Sequence, residues 1–371
     1  MGLAATDLHI HSCFSIATSK NMIPDTILSG CRIKGIKAIG SGDALHSVWR
    51  KMWENAANDA GIIVVPTAEV EDRNRVHHLI LSDTFDSFQT LESLLSPHCL
   101  HIQNAGRPHI RLSGKEIASI VNECGACIGP AHAFTPWTSL YAAFSSLHAC
   151  YGDEDVAFLE LGLSADSRYG AAISELNDIP FLSNSDAHSP VPEKLGRECT
   201  ILDLKTYDEK GVLSAIRNGH IMMNIGFFPE EGKYNRTACT RCYHQYSLSR
   251  AEELGWRCSM DGGRIKKGVS DRALELSDRK PTMRPPYFHI IPLAEIISTL
   301  LRTCSPRTKK CRFLYDEMIR TFGDEISILT TVPADEIRSV HADIGDAIAA
   351  FREGKVTLHP GGGGRYGTFS L

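Results

Sequence analysis

The sequence has no run of about 18 apolar residues, so no segment suits a membrane-crossing helix and no membrane partner is expected. Met1–Asp7 carries neither the basic stretch nor the apolar stretch that opens a secretion signal. Cysteine is too sparse for a disulfide scaffold, 12 in 371 residues. Without a secretion signal, those thiols are expected to be reduced and available to metal. Fixed-period repeats and low-complexity tracts are absent, and 43% apolar with 22% charged residues excludes a disordered or fibrous chain. A large excess of either charge is also missing: 39 basic against 44 acidic side chains leave −5, which taken alone argues against a nucleic-acid partner. Histidine, in contrast, is plentiful, at 16. The length fits about two domains.

Short apolar runs alternate with helical patterns over the first 230 residues. Candidate strands are Thr6–His11, Ile36–Ser41, Ile62–Glu69, Val76–Ser82, Ala126–Ala131, Phe158–Gly162, Pro180–Asn184 and Thr200–Leu204. Amphipathic stretches such as Pro24–Lys34 and Lys115–Glu123 lie between them. Such alternation predicts βαβ units, a mainly parallel sheet and, at this strand count, a β/α barrel over residues 1–230. Composition then shifts. Lys233–Arg284 holds 12 Lys/Arg against 6 Asp/Glu, a local +6 that leaves −11 for the rest. Residues 231–284 are therefore read as a small basic segment. Residues 285–371 are read as a helical region, with helices at Ile290–Leu301, Arg312–Phe322 and Ala334–Arg352 and a Gly-rich end.

The metal-capable residues fall at strand ends. His9 and His11 end the first strand, and Asp43 and His46 follow the second. Glu69 ends the third, His77 and His78 sit at the fourth, His132 follows the fifth, and Asp186 and His188 follow the seventh. In a β/α barrel these ends meet at one mouth. Imidazole with carboxylate and no thiolate favours Zn²⁺, Mn²⁺ or Fe²⁺ over an all-oxygen Mg²⁺ site. With one of His77 and His78 counted, nine donors suit two or three ions, which together clamp the attacking and leaving oxygens of a phosphoester.

The segment Asp7-Leu-His-Ile-His-Ser12 resembles the first motif of the PHP (polymerase and histidinol phosphatase) superfamily, and the later donors resemble its nine-ligand series. The resemblance implies a distorted barrel of about seven strands. It implies His9, His11, Asp43, His46, Glu69, His78, His132, Asp186 and His188 as ligands, with Glu69 bridging. His78 is preferred to His77 because it directly precedes Leu79-Ile-Leu81, as in the family. Catalysis is expected of His9, His11, Glu69, His132, Asp186 and His188. The ions are expected to be zinc, manganese or magnesium.

Gly129-Pro-Ala-His-Ala-Phe-Thr-Pro-Trp137, Phe181-Leu-Ser-Asn-Ser-Asp-Ala-His-Ser-Pro190, Lys194-Leu-Gly-Arg197, Gly262-Gly-Arg-Ile-Lys-Lys-Gly-Val269 and Pro360-Gly-Gly-Gly-Gly-Arg-Tyr-Gly367 together resemble the endonuclease Q family. That resemblance implies hydrolysis of DNA on the 5′ side of deaminated bases (uracil, hypoxanthine, xanthine) or abasic sites, in the cytoplasm of an archaeon or bacterium, at its nucleoid. DNA, single- or double-stranded and carrying a damaged base, is the expected partner. The family also pairs with the sliding clamp, but Gly367–Leu371 shows no clamp motif. The alternative is a small-molecule phosphatase of the histidinol-phosphatase type, which needs no basic segment.

Cys239-x-x-Cys242 and Cys258 resemble three-quarters of a structural zinc site, with Asp261 in the fourth place and His244 as a substitute donor. Phe134 and Trp137, directly after His132, are candidates for stacking a base. Lys194, Arg197, Arg264, Lys266, Lys267 and Arg365 are candidates for holding phosphate. The four glycines before Arg365 are expected to offer backbone N–H groups to phosphate, without the Gly-Lys-Ser/Thr of a nucleotide loop.

Overall fold

The computed structural model describes residues 2–58 and 61–370. Its largest sheet takes strands β1 (Gly2–Asp7), β2 (Ala38–Gly40) and β3 (Ile63–Val65), and the later strands β9, β10 and β13. A second sheet is β4 (Thr67–Glu71), β5 (His77–Leu81) and β6 (Cys127–Pro130), and β7 (Leu159–Glu160) pairs with β8 (Phe181–Leu182). β9 (Cys199–Leu204) and β10 (Ile221–Gly226) follow. A hairpin of β11 (Ala238–Cys239) and β12 (Ile265–Lys266) comes next, then β13 (Tyr287–His289) and a final pair, β14 (Thr357–His359) and β15 (Thr368–Ser370).

The order in the main sheet is β13-β10-β9-β1-β2-β3. β1, β2 and β3 run parallel, whereas β9 runs antiparallel to both β1 and β10. The sheet is thus mixed rather than mainly parallel. Among the described residues the strands also do not close into one hydrogen-bonded barrel. The stretch read as a single strand, Ile62–Glu69, divides at Pro66 into β3 and β4, because proline brings no N–H to a ladder. Isolated bonds join the fragments instead: Ala157 N–H donates to the Ile128 carbonyl at 2.9 Å, and His11 N–H to that of Ala187 at 3.0 Å. An inner core fills the space between them, with Leu8, Val65, Leu79, Phe158, Leu182 and Leu202 buried together.

Helices pack outside. Pro24–Lys34 begins with proline and Asp25 in its first turn and stops at Gly35, which takes φ +85° in the left-handed region. The C-terminal helices are Leu293–Leu300, Lys309–Phe322, Glu325–Thr330, Ala334–Val340 and Ala342–Arg352. The helix expected over Ala334–Arg352 is two, separated at His341, whose backbone is extended. Residues of these helices, such as Ile296, Met318 and Ile348, share one apolar cluster with Ile27, Cys31 and Trp49. The β11–β12 hairpin keeps a small core of its own, Cys239, Ala251, Cys258 and Ile265.

Candidate metal centre

Strand alternation decides which side chains reach the centre. His9 and His11 leave β1 on the same side, and both are buried. Their Nε2 atoms and the Asp186 Oδ1 are buried without a hydrogen-bond partner, yet they converge. His11 Nε2 lies 3.1 Å from Asp186 Oδ1, and His9 Nε2 lies 3.8 Å from it. Three orphaned polar atoms facing one another are costly unless a cation joins them, so these residues fit a metal ion.

A second group adjoins the first. Glu69 Oε1 lies 2.7 Å from His77 Nδ1 and 3.0 Å from His132 Nε2. The same carboxylate reaches back to His9 and His11, at 3.8 and 3.4 Å. Glu69 therefore stands between the two groups. Burial alone would lower the His9 imidazole, but Glu160 reverses that and lifts it to about 9. Burial works against ionisation of Glu69, and His77, His132 and His9 still hold its carboxyl well below the ordinary range. The carboxylates that stabilise imidazolium here would equally stabilise a bound cation.

The backbone is strained at three of these positions. Asp43, His132 and Asp186 adopt φ of +48°, +33° and +47°, a region that side chains other than glycine rarely occupy. Such strain persists where the surrounding structure enforces it, typically at functional sites.

Not every expected ligand arrives. His77, not His78, faces the centre. Adjacent residues of β5 point to opposite faces, and His78 turns to Tyr151, its Nδ1 2.7 Å from the hydroxyl. Asp43 sits behind His11, its carboxylate 3.3 Å from Nδ1 and accepting the Ser12 N–H and the Ser15 hydroxyl. It orients His11 rather than joining the donor groups. His46 also stands apart: it caps the helix Ser47–Glu54 by accepting the Trp49 N–H, and stacks on Phe14 at 4.1 Å. The His188 ring lies 4.4 Å from that of His11, and its Nδ1–H donates to the Asp186 carbonyl at 3.0 Å.

Other residues at the centre escaped the motif reading. Glu160 accepts from His9 Nδ1 at 2.8 Å and from the His132 N–H at 2.8 Å. Arg107 donates to Glu69 Oε2 at 3.1 Å, and Glu71 holds His77 Nε2 at 3.2 Å. Glu160 and Glu71 end the observed strands, but Glu160 falls inside the strand expected over Phe158–Gly162 and Glu71 beyond the one expected to end at Glu69, so the strand-end pattern passes over both. Arg107 left no signal either.

The centre lies in a cleft of about 650 Å³, whose walls include Lys194 and Arg197, together with Trp137, Lys233, Tyr234 and Tyr366. Four other expected DNA contacts, Arg264, Lys266, Lys267 and Arg365, are not in its lining. Lys267 is paired with Glu275 at 2.5 Å. Phe134 is only 2% exposed and packs on Tyr141 at 5.1 Å, so it belongs to the core and is no base wall. The glycine run also departs from expectation. The N–H groups of Gly361, Gly362, Gly364 and Gly367 donate to backbone carbonyls, so most of the run is committed to packing rather than to phosphate. An added Cβ would collide there: at Gly363 it would lie 2.1 Å from the Cys239 carbonyl oxygen. The glycines serve close packing.

The Cys239, Cys242, Cys258 and Asp261 ligand atoms all lie within 4.8 Å of one another. Cys242 and Cys258 sulfurs are 3.5 Å apart, and Cys239 Sγ is 3.4 Å from Asp261 Oδ1. Backbone N–H groups of Arg241 and Met260 donate to the sulfurs of Cys239 and Cys258. These residues fit a tetrahedral zinc ion. His244 is not in the group; its ring stands edge-on to Tyr246.

Fragmented sheets surround a buried histidine–carboxylate centre, and the PHP-associated family model matches residues 170–221. The chain belongs to the endonuclease Q family. It superposes with a TM-score of 0.95, at 42% identity and over 100% of its length, on the lesion-specific endonuclease of Pyrococcus furiosus, covering 96% of that chain. It matches equally well, at 0.95 and 42% identity over 100% of its length and 97% of the other chain, an endonuclease Q in complex with a 27-mer duplex bearing an abasic lesion at the active site. The MJ0043 C-terminal domain model matches residues 292–355. Two uncharacterized proteins are also similar: one of Methanocaldococcus jannaschii, 43% identical over 246 residues and 64% of this chain, and YqxK of Bacillus subtilis, 33% identical over 79% of this chain and 73% of its own. The chain spans 31% of the length of the M. jannaschii relative.

Proposed function

We propose that the chain is a metal-dependent endonuclease that hydrolyses a DNA phosphodiester on the 5′ side of a damaged nucleotide, a deaminated base or an abasic site. The observation that carries this reading is the composition of the cleft. A centre of His9, His11, Glu69, His77, His132 and Asp186 opens into a space walled partly by Lys233 and Tyr234 of the basic segment and Tyr366 of the C-terminal end. A small phosphomonoester would need neither segment.

His9, His11 and Asp186 would hold one ion and His77 and His132 another, with Glu69 between them and His188 at the edge. Ions bound there supply Lewis acidity toward water and phosphate oxygens. The remaining work falls to the chain. Glu160 and Asp43 fix the ring orientations of His9 and His11. His188, its Nδ1–H tied to the Asp186 carbonyl, keeps Nε2 as a proton acceptor at the rim. Lys194 and Arg197 offset phosphate charge, Arg197 being anchored by its Nε–H to the Ser185 carbonyl at 3.0 Å. Cys239, Cys242, Cys258 and Asp261 would hold a structural zinc that keeps the β11–β12 hairpin against the cleft.

A duplex carrying one deoxyuridine or one abasic site, incubated with the chain and Mn²⁺ or Mg²⁺, tests this. A nick 5′ to the lesion is expected, and His9→Ala should abolish cleavage while leaving DNA binding intact. Well-metallated protein that leaves the duplex whole, or that hydrolyses only phosphomonoesters, would sink the reading.

A further inference from the structure

Behind β5, on the face turned away from the centre, Asp72, His78 and Cys150 bring a carboxylate, an imidazole and a thiol together. Their ligand atoms all lie within 4.8 Å of one another. Asp72 and His78 are 0% exposed and Cys150 is 5% exposed. His78 Nε2 lies 3.5 Å from Asp72 Oδ2, yet it is buried without a hydrogen-bond partner. Two ligands each about 2 Å from one tetrahedral ion stand at about that separation.

The donors are held from behind. Asp72 Oδ1 accepts the N–H groups of Asn74 and Val76, both at 2.8 Å, and Oδ2 has only the Asn74 amide, at 3.4 Å, as a hydrogen-bond donor. His78 Nδ1 lies 2.7 Å from the Tyr151 hydroxyl. With Nδ1–H directed at that oxygen, Nε2 keeps its lone pair, the tautomer a metal ligand needs. Gly114 keeps the cradle open: a Cβ there would lie 2.6 Å from Cys150 Sγ and 3.0 Å from His78 Cε1.

Thiolate and imidazole with a single carboxylate suit zinc rather than a cation that prefers oxygen alone. Charge balance points the same way. Zinc between a carboxylate, a thiolate and a neutral imidazole leaves no net charge in the interior. Binding would break the Cys150 S–H bond as the Zn–S bond forms, and the proton would leave to water with no change of oxidation state.

We propose that Asp72, His78 and Cys150 hold one zinc ion, a structural site separate from both the histidine–carboxylate centre and the β11–β12 hairpin. Asp72 directly follows Glu71, which holds His77, and His78 directly follows His77 itself. The ion would tie the back of the β4–β5 hairpin to the helix Leu147–Tyr151, and so fix the direction in which His77 points. The site shares no donor with the centre, so it stands independently of the endonuclease reading.

The full chain, loaded with excess Zn²⁺ and desalted, has its zinc counted by mass spectrometry. Cys150→Ala and His78→Gln are each expected to hold one zinc per chain fewer than the wild type. The same difference should persist in a His9→Ala background, where the centre is already impaired. With cobalt in place of zinc, Cys150→Ala should weaken the sulfur-to-cobalt charge-transfer band by about one thiolate in four, the other three being Cys239, Cys242 and Cys258. A cysteine that only packs would move neither reading. Melting curves check the fold, and Cys150→Ser, nearly the same size, takes the place of Cys150→Ala should that chain unfold. Equal zinc counts in the wild type and a folded Cys150 variant, or an unchanged cobalt band, would overturn the site. A count lowered by His78→Gln but by neither Cys150 variant would also overturn it, since the lost ion would then sit elsewhere.

Discussion

His77 and His78 are neighbours on β5 with opposite tasks. His77 faces Glu69 and His132, whereas His78 is fully buried between Tyr151 and Asp72. His77→Ala should therefore cost at least about tenfold in activity, as expected when a group at a metal centre is lost, with little change in melting. His78→Ala should leave the buried Tyr151 hydroxyl without its partner and destabilise by roughly 1–3 kcal/mol, while the folded fraction keeps its activity. Parallel melting and nicking assays separate the two. Glu198 supplies a pH prediction. Burial lifts its carboxyl to about 8, and its Oε2 has no hydrogen-bond partner. A group raised this way stays protonated in the folded chain while the unfolded chain ionises near 4.5. Stability is full below pH 4.5 and is lost as pH climbs toward 8. Glu198→Gln, which cannot ionise, should raise Tm at pH 8 and do much less at pH 4.5; a Tm gain of the same size at both pH values would contradict this.

At the scale of elements, the β11–β12 hairpin has only four buried apolar residues, two of them the cysteines Cys239 and Cys258. So small a core cannot hold a hairpin without a cross-link. Replacing Asp261 by cysteine should tighten zinc, because thiolate is the softer and stronger donor. Slower zinc loss to a chelator than in the wild type is the measurement. Faster loss would show that Asp261 lies outside the metal's shell. The helix Pro24–Lys34 was legible to the residue, since Pro24 and Gly35 are local signals. The division of Ile62–Glu69 also has a local mark, Pro66, which the apolar pattern on either side of it conceals. The inward turn of His77 depends on which face of β5 the core takes, and two adjacent histidines carry no mark of that.

Across the whole molecule, a buried ion pair ties the N-terminal helix Pro24–Lys34 to the C-terminal helices. Lys34 Nζ lies 2.9 Å from Glu325 Oε1, both side chains 1% exposed, and Tyr315 and Leu293 donate to the same carboxylate. Removing one partner leaves a buried charge uncompensated, so Glu325→Ala should cost about 3–5 kcal/mol in denaturant unfolding. Lys34→Met with Glu325→Leu should recover much of that loss; a double variant as unstable as the single would show the cost to be packing.

The sequence by itself determined the donor chemistry: His9, His11, Glu69, His132 and Asp186 at strand ends, three cysteines for a second donor group, and a basic segment hidden beneath a net acidic chain. These are local properties, set by residue type and spacing. Tertiary structure decided the rest. It turned His77 inward, set Asp43 and Glu160 behind the ligands, buried Phe134, used the N–H groups of the glycine run in packing, and brought Trp137, Tyr234 and Tyr366 to one lip. Facing and convergence depend on which strands pair and which surfaces bury together, and no window of a few residues contains that information.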